Sequence, residues 1–394
     1  MTPTARLSAA IALLDQILTG DPAERALTRW ARASRFAGSK DRAAVRDIVF
    51  DVLRRKRSLA HLAGAMTGRG LVMAQQFSNG AALDELFGDF RFAPEALTEA
   101  EKARLAAPAA APDPVRLDYP DFLDAELKRS LGDDLPEIMA AMQSRAPVDL
   151  RVNTLKTTVE EAQNYLARDL IFTEGVAGIE GALRITENPR KLNGSLAYRY
   201  GFVELQDVSS QLVSKLAGAK AGMKVLDYCA GGGGKTLALA AEMHGKGQLF
   251  AHDANPLRMK DLPERARRAG ADIQVISPDH IETSPKCDLV LVDAPCSGSG
   301  AWRRNPDSKW RLTERRLEEL VALQREILQK AQARVGANGA LAYATCSLFA
   351  QENADQTAWF LSQFEGWKTV RQQSLSPLTG GDGFFISVLQ REAS

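Results

Sequence analysis

Cysteine is scarce in this sequence, with four in 394 residues: Cys229, Cys287, Cys296 and Cys346. None stands in C-x-x-C spacing, which excludes a zinc ribbon or a disulfide framework, and thiols so placed are expected to stay reduced in a cytoplasm. An excess of one charge sign is also missing: 50 Lys and Arg face 49 Asp and Glu, a net charge of +1. No apolar run approaches the roughly 18 residues that a membrane span needs. The opening MTPTARLSAA runs into a charged amphipathic pattern without a secretory layout. A cytoplasmic protein without membrane or metal partner is therefore expected, and nothing calls for more than a monomer.

What is present is a globular composition, 45% hydrophobic and 25% charged, enough for a sizeable core spread over two or three domains. The even net charge hides an asymmetry. Residues 1–70 carry 13 basic and 6 acidic side chains, an excess of seven, so the remainder of the chain carries minus six. Such polarity suits an anionic partner for the N-terminal part, and equally a solvated helix surface. Apolar residues there recur at helical spacing, as in Leu7, Ala10, Ile11, Leu14 and Ile17, then Val45, Ile48, Val49 and Leu53. Arg54, Arg55, Lys56 and Arg57 fall at a helix end, where cations complement the dipole or meet phosphates.

The stretch LAAPAAAPDPVRL (105–117) cannot continue a helix through Pro108, Pro112 and Pro114, and marks a linker. A helical piece, the extended VDLRVNTLK (148–156) and a mixed region follow. From Met223 onward short apolar strands alternate with helices: KVLDYCA, QLFAHDA, DIQVIS, DLVLVDAP, ALAYAT and FFISVLQ. That alternation predicts an α/β fold whose parallel sheet binds ligands at the carboxyl ends of its strands. The expected division is 1–117, helical domain and linker; 118–218, a small mixed α/β segment; and 219–394, the α/β domain.

The loop CAGGGGKT (229–236) joins the first of these strands to a helix, and its glycines permit close backbone approach to a ligand. A Walker A phosphate loop would need glycine at Cys229, and a G-x-G-x-x-G fingerprint would need it at Thr236 or Leu237, so both phosphate-centred readings weaken. A nucleoside cofactor without pyrophosphate survives. Asp253, after the second strand, is placed for the ribose hydroxyls and Asp279, after the third, for the adenine end; carboxylates also suit a sulfonium. S-adenosylmethionine fits best, held by Cys229, Ala230, Gly231, Gly232, Gly233, Gly234, Lys235, Asp253, Arg258, Asp279 and Asp293. Taken singly, Asp253 and Asp279 could instead cap helices.

The fourth strand ends in DAPCSGSG (293–300) and the fifth in YATCS (343–347), which brings Asp293, Cys296 and Cys346 to one sheet edge. Cys229 and Cys287 have the look of small core hydrophobes. Carbon 5 of cytosine is too weak a nucleophile to attack a sulfonium methyl, but a thiolate added at carbon 6 makes it an enamine. Cys346 would supply that thiolate, Asp293 would hydrogen-bond the ring N3 and exocyclic amine, Cys296 would assist release, and Lys235 would orient Asp293 or the base.

DAPCSGSGAWRRNPDSKWR (293–311), YATCSLFAQEN (343–353), LDYCAGGGGKT (226–236) and GDGFFISVLQR (381–391) resemble the Nop/Sun family of RNA cytosine-5 methyltransferases over about residues 120–391. The resemblance implies a class I Rossmann-like methyltransferase domain in which the TCS cysteine, Cys346, is the nucleophile and the PCS cysteine, Cys296, assists release. DLRVN (149–153) and GFVELQDVSSQL (201–212) are similar to the family's segment before that domain. GSKDRAAVRDIVFDVLRRKRSL (38–59) resembles a helical NusB-like RNA-binding domain. In one respect the chain departs from the family, whose first motif commonly reads C-A-A-P-G-G-K-T: Gly231 and Gly232 replace Ala-Pro, which frees the loop and bears on cofactor affinity.

The resemblance implies an RNA substrate, ribosomal RNA first and transfer RNA second. The alternative from another class is a non-catalytic RNA-binding ribosome-assembly factor, which would have no use for two converging thiols and an aspartate. The target base must leave its stack to reach Cys346. Arg303, Arg304, Lys309 and Arg311, interleaved with Trp302 and Trp310, are expected to meet the RNA; the bland alternative is tryptophans packed into a core.

Overall fold

A computed structural model describes residues 1–107 and 109–392. They form two compact units, one of Met1–Arg145 with Trp302–Leu312, the other of Ala146–Ala301 with Thr313–Ser394.

The first unit is helical, and its N-terminal part fits a NusB-like domain. Pro3 opens the helix Pro3–Leu18 and Thr2 caps it, accepting from the Ala5 amide at 3.1 Å. Leu7, Ala10, Leu14 and Ile17 of this helix meet Val45, Val49 and Leu53 of the helix Ser39–Arg54 in the core, as the helical spacing predicts. Helix Glu99–Ala106 stops within the proline-rich stretch, and Pro114 sits in the first turn of Asp113–Arg116, where its missing N–H costs nothing. Pro108 lies outside the described residues.

Two basic clusters turn inward in this unit. Arg54 is buried and donates to the Arg303 carbonyl at 2.7 Å, Arg55 pairs with Asp51 at 2.6 Å, and Arg57 pairs with Asp121 at 2.7 Å. Lys56 lies over the Trp310 ring, 4.3 Å from its centroid. The expectation of RNA contact is corrected for Trp302, Arg303 and Lys309, which are buried, whereas Arg304 and Arg311 are exposed. Trp302 is fully buried and Lys309 is 1% exposed, with Lys309 Nζ donating to the Arg54 carbonyl at 3.1 Å and Trp310 Nε1 to the Leu53 carbonyl at 2.6 Å. Arg303 is buried as well, and Arg311 donates to the Gly20 carbonyl at 3.0 Å. The tryptophans are the packing elements of a segment seated in the helical core, so the bland reading holds for this part of the motif.

The second unit holds two sheets. A small antiparallel one contains β1 (Asp149–Val152), β2 (Phe172–Gly175), β3 (Ala182–Glu187) and β4 (Val203–Leu205) in the order β2-β3-β1-β4. The large one contains β5 (Lys224–Asp227), β6 (Gln248–His252), β7 (Gln274–Ile276), β8 (Cys287–Asp293), β9 (Val335–Thr345), β10 (Trp367–Leu375) and β11 (Phe384–Arg391). Its order is β10-β11-β9-β8-β5-β6-β7, parallel except for β11, which runs antiparallel to both neighbours. This is the Rossmann-like sheet that the resemblance implies. Sequence reading missed β10, because only Trp367 and Leu375 of its nine residues are buried and an edge strand facing solvent loses its apolar alternation.

Leu289, Val290, Leu291 and Val292 make β8 apolar on both faces, as a strand covered by helices requires. Its end is in register with β9, Asp293 opposite Ala344, and β5 lies on its other side with Asp227 opposite Leu291. Strand order reverses between β5 and β8. The carboxyl ends at that reversal carry the site.

Candidate active site

Asp227 closes β5 and is fully buried; the Thr236 hydroxyl donates to it at 2.7 Å. Burial raises the Asp227 carboxyl to about 7 against the opposing pull of that hydrogen bond. The chain then turns through the glycine loop, where Gly231 and Gly233 have φ of +51° and +82°. The left-handed φ favours glycine at 233, where a Cβ would also fall 2.2 Å from Leu262 Cδ1 and displace that side chain.

Side chains from the following segment fasten this loop. The Gly231 amide donates to Asp253 Oδ2 at 3.0 Å, and the same oxygen meets Arg258 at 3.2 Å. Asp253 Oδ1 accepts from the Asn255 amide at 2.9 Å. Arg265 donates to the Gly232 carbonyl and pairs with buried Glu204 at 3.0 Å; Arg268 joins the same carboxylate at 2.6 Å. The cap of the following turn Pro256–Met259 is Asn255, which accepts from the Leu257 amide, so Asp253 is not the helix cap and reaches back to the loop instead.

Beside these residues lies a cavity of about 800 Å³, lined by Tyr228, Cys229, His252, Asp253, Asn255 and Arg258 and, opposite them, by Pro278, Ile281, Pro295 and Ile327. That volume is in the range of a nucleoside-sized ligand. An apolar slot between prolines and isoleucines suits a purine, and the buried Asp253 carboxylate with Asn255 suits ribose hydroxyls, so the lining fits S-adenosylmethionine. Cys229 and Arg258 stand in the wall as expected. Asp279 does not: it is exposed on the turn Pro278–His280, and Pro278 and Ile281 form the wall there. Burial pushes the Cys229 thiol well up, so it stays a neutral wall group.

At the end of β8, Asp293 Oδ2 receives Lys235 Nζ at 2.7 Å. Burial pulls Lys235 down, but the Asp293 carboxylate outweighs it and the net shift is upward, which keeps the ammonium charged. The Phe384 ring lies beneath it, its centroid 4.9 Å from Nζ. The sulfurs of Cys296 and Cys346, fifty residues apart in sequence, lie 3.4 Å apart. Contact with Cys346 and burial together push the Cys296 thiol well up. Cys287, in contrast, is 1% exposed within β8 and belongs to the core, with its thiol pushed up by burial to about 11.

Sequence reasoning overlooked Glu352. Fully buried, it accepts from the Ser297 amide at 2.8 Å and the Ser297 and Ser347 hydroxyls at 2.5 Å each, and so touches the neighbour of each reactive cysteine. Gln324 Nε2 joins it at 3.0 Å. The only signal was an acid six positions after Cys346 in a segment otherwise short of charge. Arg265 was likewise missed, since an arginine on a basic helix reads as a solvated one.

Residues 215–390 match the family described as 16S rRNA methyltransferase RsmB/F, and residues 119–190 match its ferredoxin-like domain. A ribosomal RNA small subunit methyltransferase B from Vibrio cholerae is 34% identical over 300 residues, 73% of this chain and 69% of that one. Its counterpart from Pasteurella multocida is 33% identical over 297 residues, 70% of this chain and 66% of that one. The crystal structure of PH0851 superposes with a TM-score of 0.75 at 24% identity, covering 99% of each chain, which shows the shared fold.

Proposed function

The chain belongs to the 16S rRNA methyltransferase RsmB/F family, an S-adenosylmethionine-dependent RNA methyltransferase, and on that premise we propose that it methylates carbon 5 of a cytosine in small-subunit ribosomal RNA through a covalent Cys346 adduct. The observation that carries this reading is the 3.4 Å approach of the Cys296 and Cys346 sulfurs beside the Lys235–Asp293 pair. An idle binding protein has no need of two thiols held at that distance.

The chemistry divides among this chain's own groups. Cys346 Sγ, as thiolate, forms a bond to carbon 6 of the extruded base, and the ring electrons move to carbon 5. Asp293, steadied by Lys235, hydrogen-bonds the N3 and exocyclic amine side of the ring, where the adduct gathers charge. S-adenosylmethionine supplies the methyl group as an electrophile when bound. Cys296, once its own proton has passed to solvent, takes the carbon 5 proton; the electrons of that C–H bond re-form the carbon 5–carbon 6 double bond, and the carbon–sulfur bond breaks with Cys346 leaving as thiolate.

In this reading Asp253, Arg258 and the loop 229–235 hold the cofactor, with Asp293 at its reactive end and Asp279 at the cavity rim. Residues 1–117 act as the RNA-binding helical part, 118–218 as a connecting segment and 219–394 as the catalytic domain of a cytoplasmic monomer.

The test is incubation of wild type, Cys346→Ala and Cys296→Ala with radiolabelled S-adenosylmethionine and small-subunit ribosomal RNA, with transfer RNA in parallel, followed by nucleoside analysis and denaturing gels. The expected result is 5-methylcytosine in ribosomal RNA with wild type, none with Cys346→Ala, and a trapped protein–RNA adduct with Cys296→Ala. Methylation by Cys346→Ala at the wild-type rate, or at another atom of the base, would overturn the mechanism.

A further inference from the structure

Two loops bring the cysteines together, and neither is held by its own strand alone. Cys296 sits in the turn after β8 and Cys346 directly after β9, and strand register fixes their backbones as far as Asp293 on β8 and Thr345 on β9. Beyond that point the Gly300 amide donates to the Cys346 carbonyl at 2.9 Å, a backbone tie between the loops at the cysteines themselves. Ser299 adds direct ties, its Oγ accepting from the Leu348 amide at 2.7 Å and lying 3.1 Å from Ser347 Oγ, while Ser297 Oγ lies 3.3 Å from Ser347 Oγ. A further set of ties converges on one side chain. Ser297, one residue after Cys296, and Ser347, one residue after Cys346, both donate their hydroxyls to Glu352 Oε2 at 2.5 Å. Gln324 donates both to Glu352 Oε1 and to the Pro295 carbonyl, at 3.0 Å each, and so grips the residue before Cys296 as well.

None of these partners of Glu352 is a cation. Burying a carboxylate among neutral donors is a costly way to tie two loops together if mechanical cohesion is all that is needed. What a carboxylate provides and an amide cannot is acceptance on every side. Both serine hydroxyls must then point at it, leaving their lone pairs for the chain: Ser347 Oγ accepts from the Phe349 amide at 3.0 Å and Ser297 Oγ from the Ser299 amide at 3.3 Å. Each loop receives one defined shape, and the two shapes share one oxygen atom. Glutamine in that place would present an NH2 group to one face and leave a serine without its acceptor.

We propose that Glu352 is the positioning residue of the cysteine pair, fixing the Cys296 loop against the Cys346 loop so that release follows addition without delay. The proposal rests on the covalent reading above and extends it to a group that touches neither base nor cofactor. Ser297 and Ser347 divide its action: the first serves the releasing cysteine, the second the attacking one.

The experiment compares Glu352→Gln, Ser297→Ala and Ser347→Ala with wild type, Cys346→Ala and Cys296→Ala on small-subunit ribosomal RNA, measuring kcat, KM for S-adenosylmethionine and the covalent adduct on denaturing gels. A misplacement of about 1 Å at a reacting group costs on the order of 100-fold in rate. Glu352→Gln is therefore expected to lose about 10- to 100-fold in kcat with KM within about twofold. It should also accumulate the adduct that Cys296→Ala traps. Ser297→Ala should accumulate adduct too, whereas Ser347→Ala should slow methylation without accumulation. A purely structural tie lowers the melting temperature and the active fraction but leaves surviving molecules turning over normally, with no adduct. That result, or wild-type kcat in Glu352→Gln while Cys346→Ala is dead, overturns the proposal alone. Activity in Cys346→Ala overturns the covalent reading and this proposal with it.

Discussion

The Gly231 amide donates to Asp253 Oδ2 at 3.0 Å, joining the turn after β5 to the acid after β6. The family's Ala-Pro pair is absent here, and with it the fixed φ that proline would give the loop. Instead the structure fastens the loop from outside, by Asp253 at Gly231 and by Arg265 at the Gly232 carbonyl, with Arg265 itself anchored on Glu204. Backbone freedom gained at two glycines is removed again by two side chains.

Substituting Gly231 should therefore weaken cofactor binding and not the fold. Its φ of +51° is left-handed, and an added Cβ would lie 3.2 Å from Arg258 Nη2. Left-handed backbone costs an L-residue roughly 1–2 kcal/mol, about 5- to 30-fold in an equilibrium. Gly231→Ala is expected to raise the dissociation constant for S-adenosylmethionine by that order in titration calorimetry, with the melting temperature of the ligand-free protein within a few degrees. Unchanged affinity would mean that the loop rearranges to tolerate the methyl group.

Asp227 predicts a pH dependence with a definite sign. Burial raises its folded value from 3.8 to about 7, so between these values the unfolded chain loses the proton that the folded chain keeps. Stability from this group is thus fully present below pH 3.8 and drains away as pH rises toward 7, by at most about 4 kcal/mol. Asp227→Asn cannot ionise and retains an oxygen for the Thr236 hydroxyl. Urea midpoints measured at pH 5 and pH 8 should fall less in the variant than in wild type. Parallel declines would show that Asp227 ionises normally.

Much of the site was legible because its residues occupy strand ends. Apolar runs of β-branched and leucine residues announced β5, β6, β8 and β9, and in a parallel sheet whatever follows each strand must share one edge; hence Lys235, Asp293, Cys296 and Cys346 were found together. Glu352 was not legible, since its partners are two serines and a glutamine drawn from three separate segments, and only tertiary packing unites them. β10 lacked apolar alternation for the reason given by its exposed edge. The tryptophan-arginine run at 302–311 misled because nearness in sequence to Cys296 was taken for nearness in role. A basic aromatic segment looks the same on paper whether it faces RNA or a helical core.

The packing of Trp310, partly buried against the helical core, makes the last prediction. Trp310 packs beside Leu53, donates to its carbonyl at 2.6 Å and carries the ammonium groups of Lys56 and Lys309 at 4.3 and 4.6 Å from its ring centroid. Truncating a packed tryptophan to alanine typically costs about 3–5 kcal/mol. Trp310→Ala should accordingly unfold the helical unit at a markedly lower temperature, seen as an early melting transition by calorimetry. RNA affinity measured well below that transition should stay within about twofold, and the slope of log affinity against log salt concentration should not change, because no phosphate contact has been lost. If instead the melting profile is unaltered and RNA binding weakens tenfold or more, the tryptophan stacks on a base after all, and the segment 302–311 must leave the helical core when RNA binds.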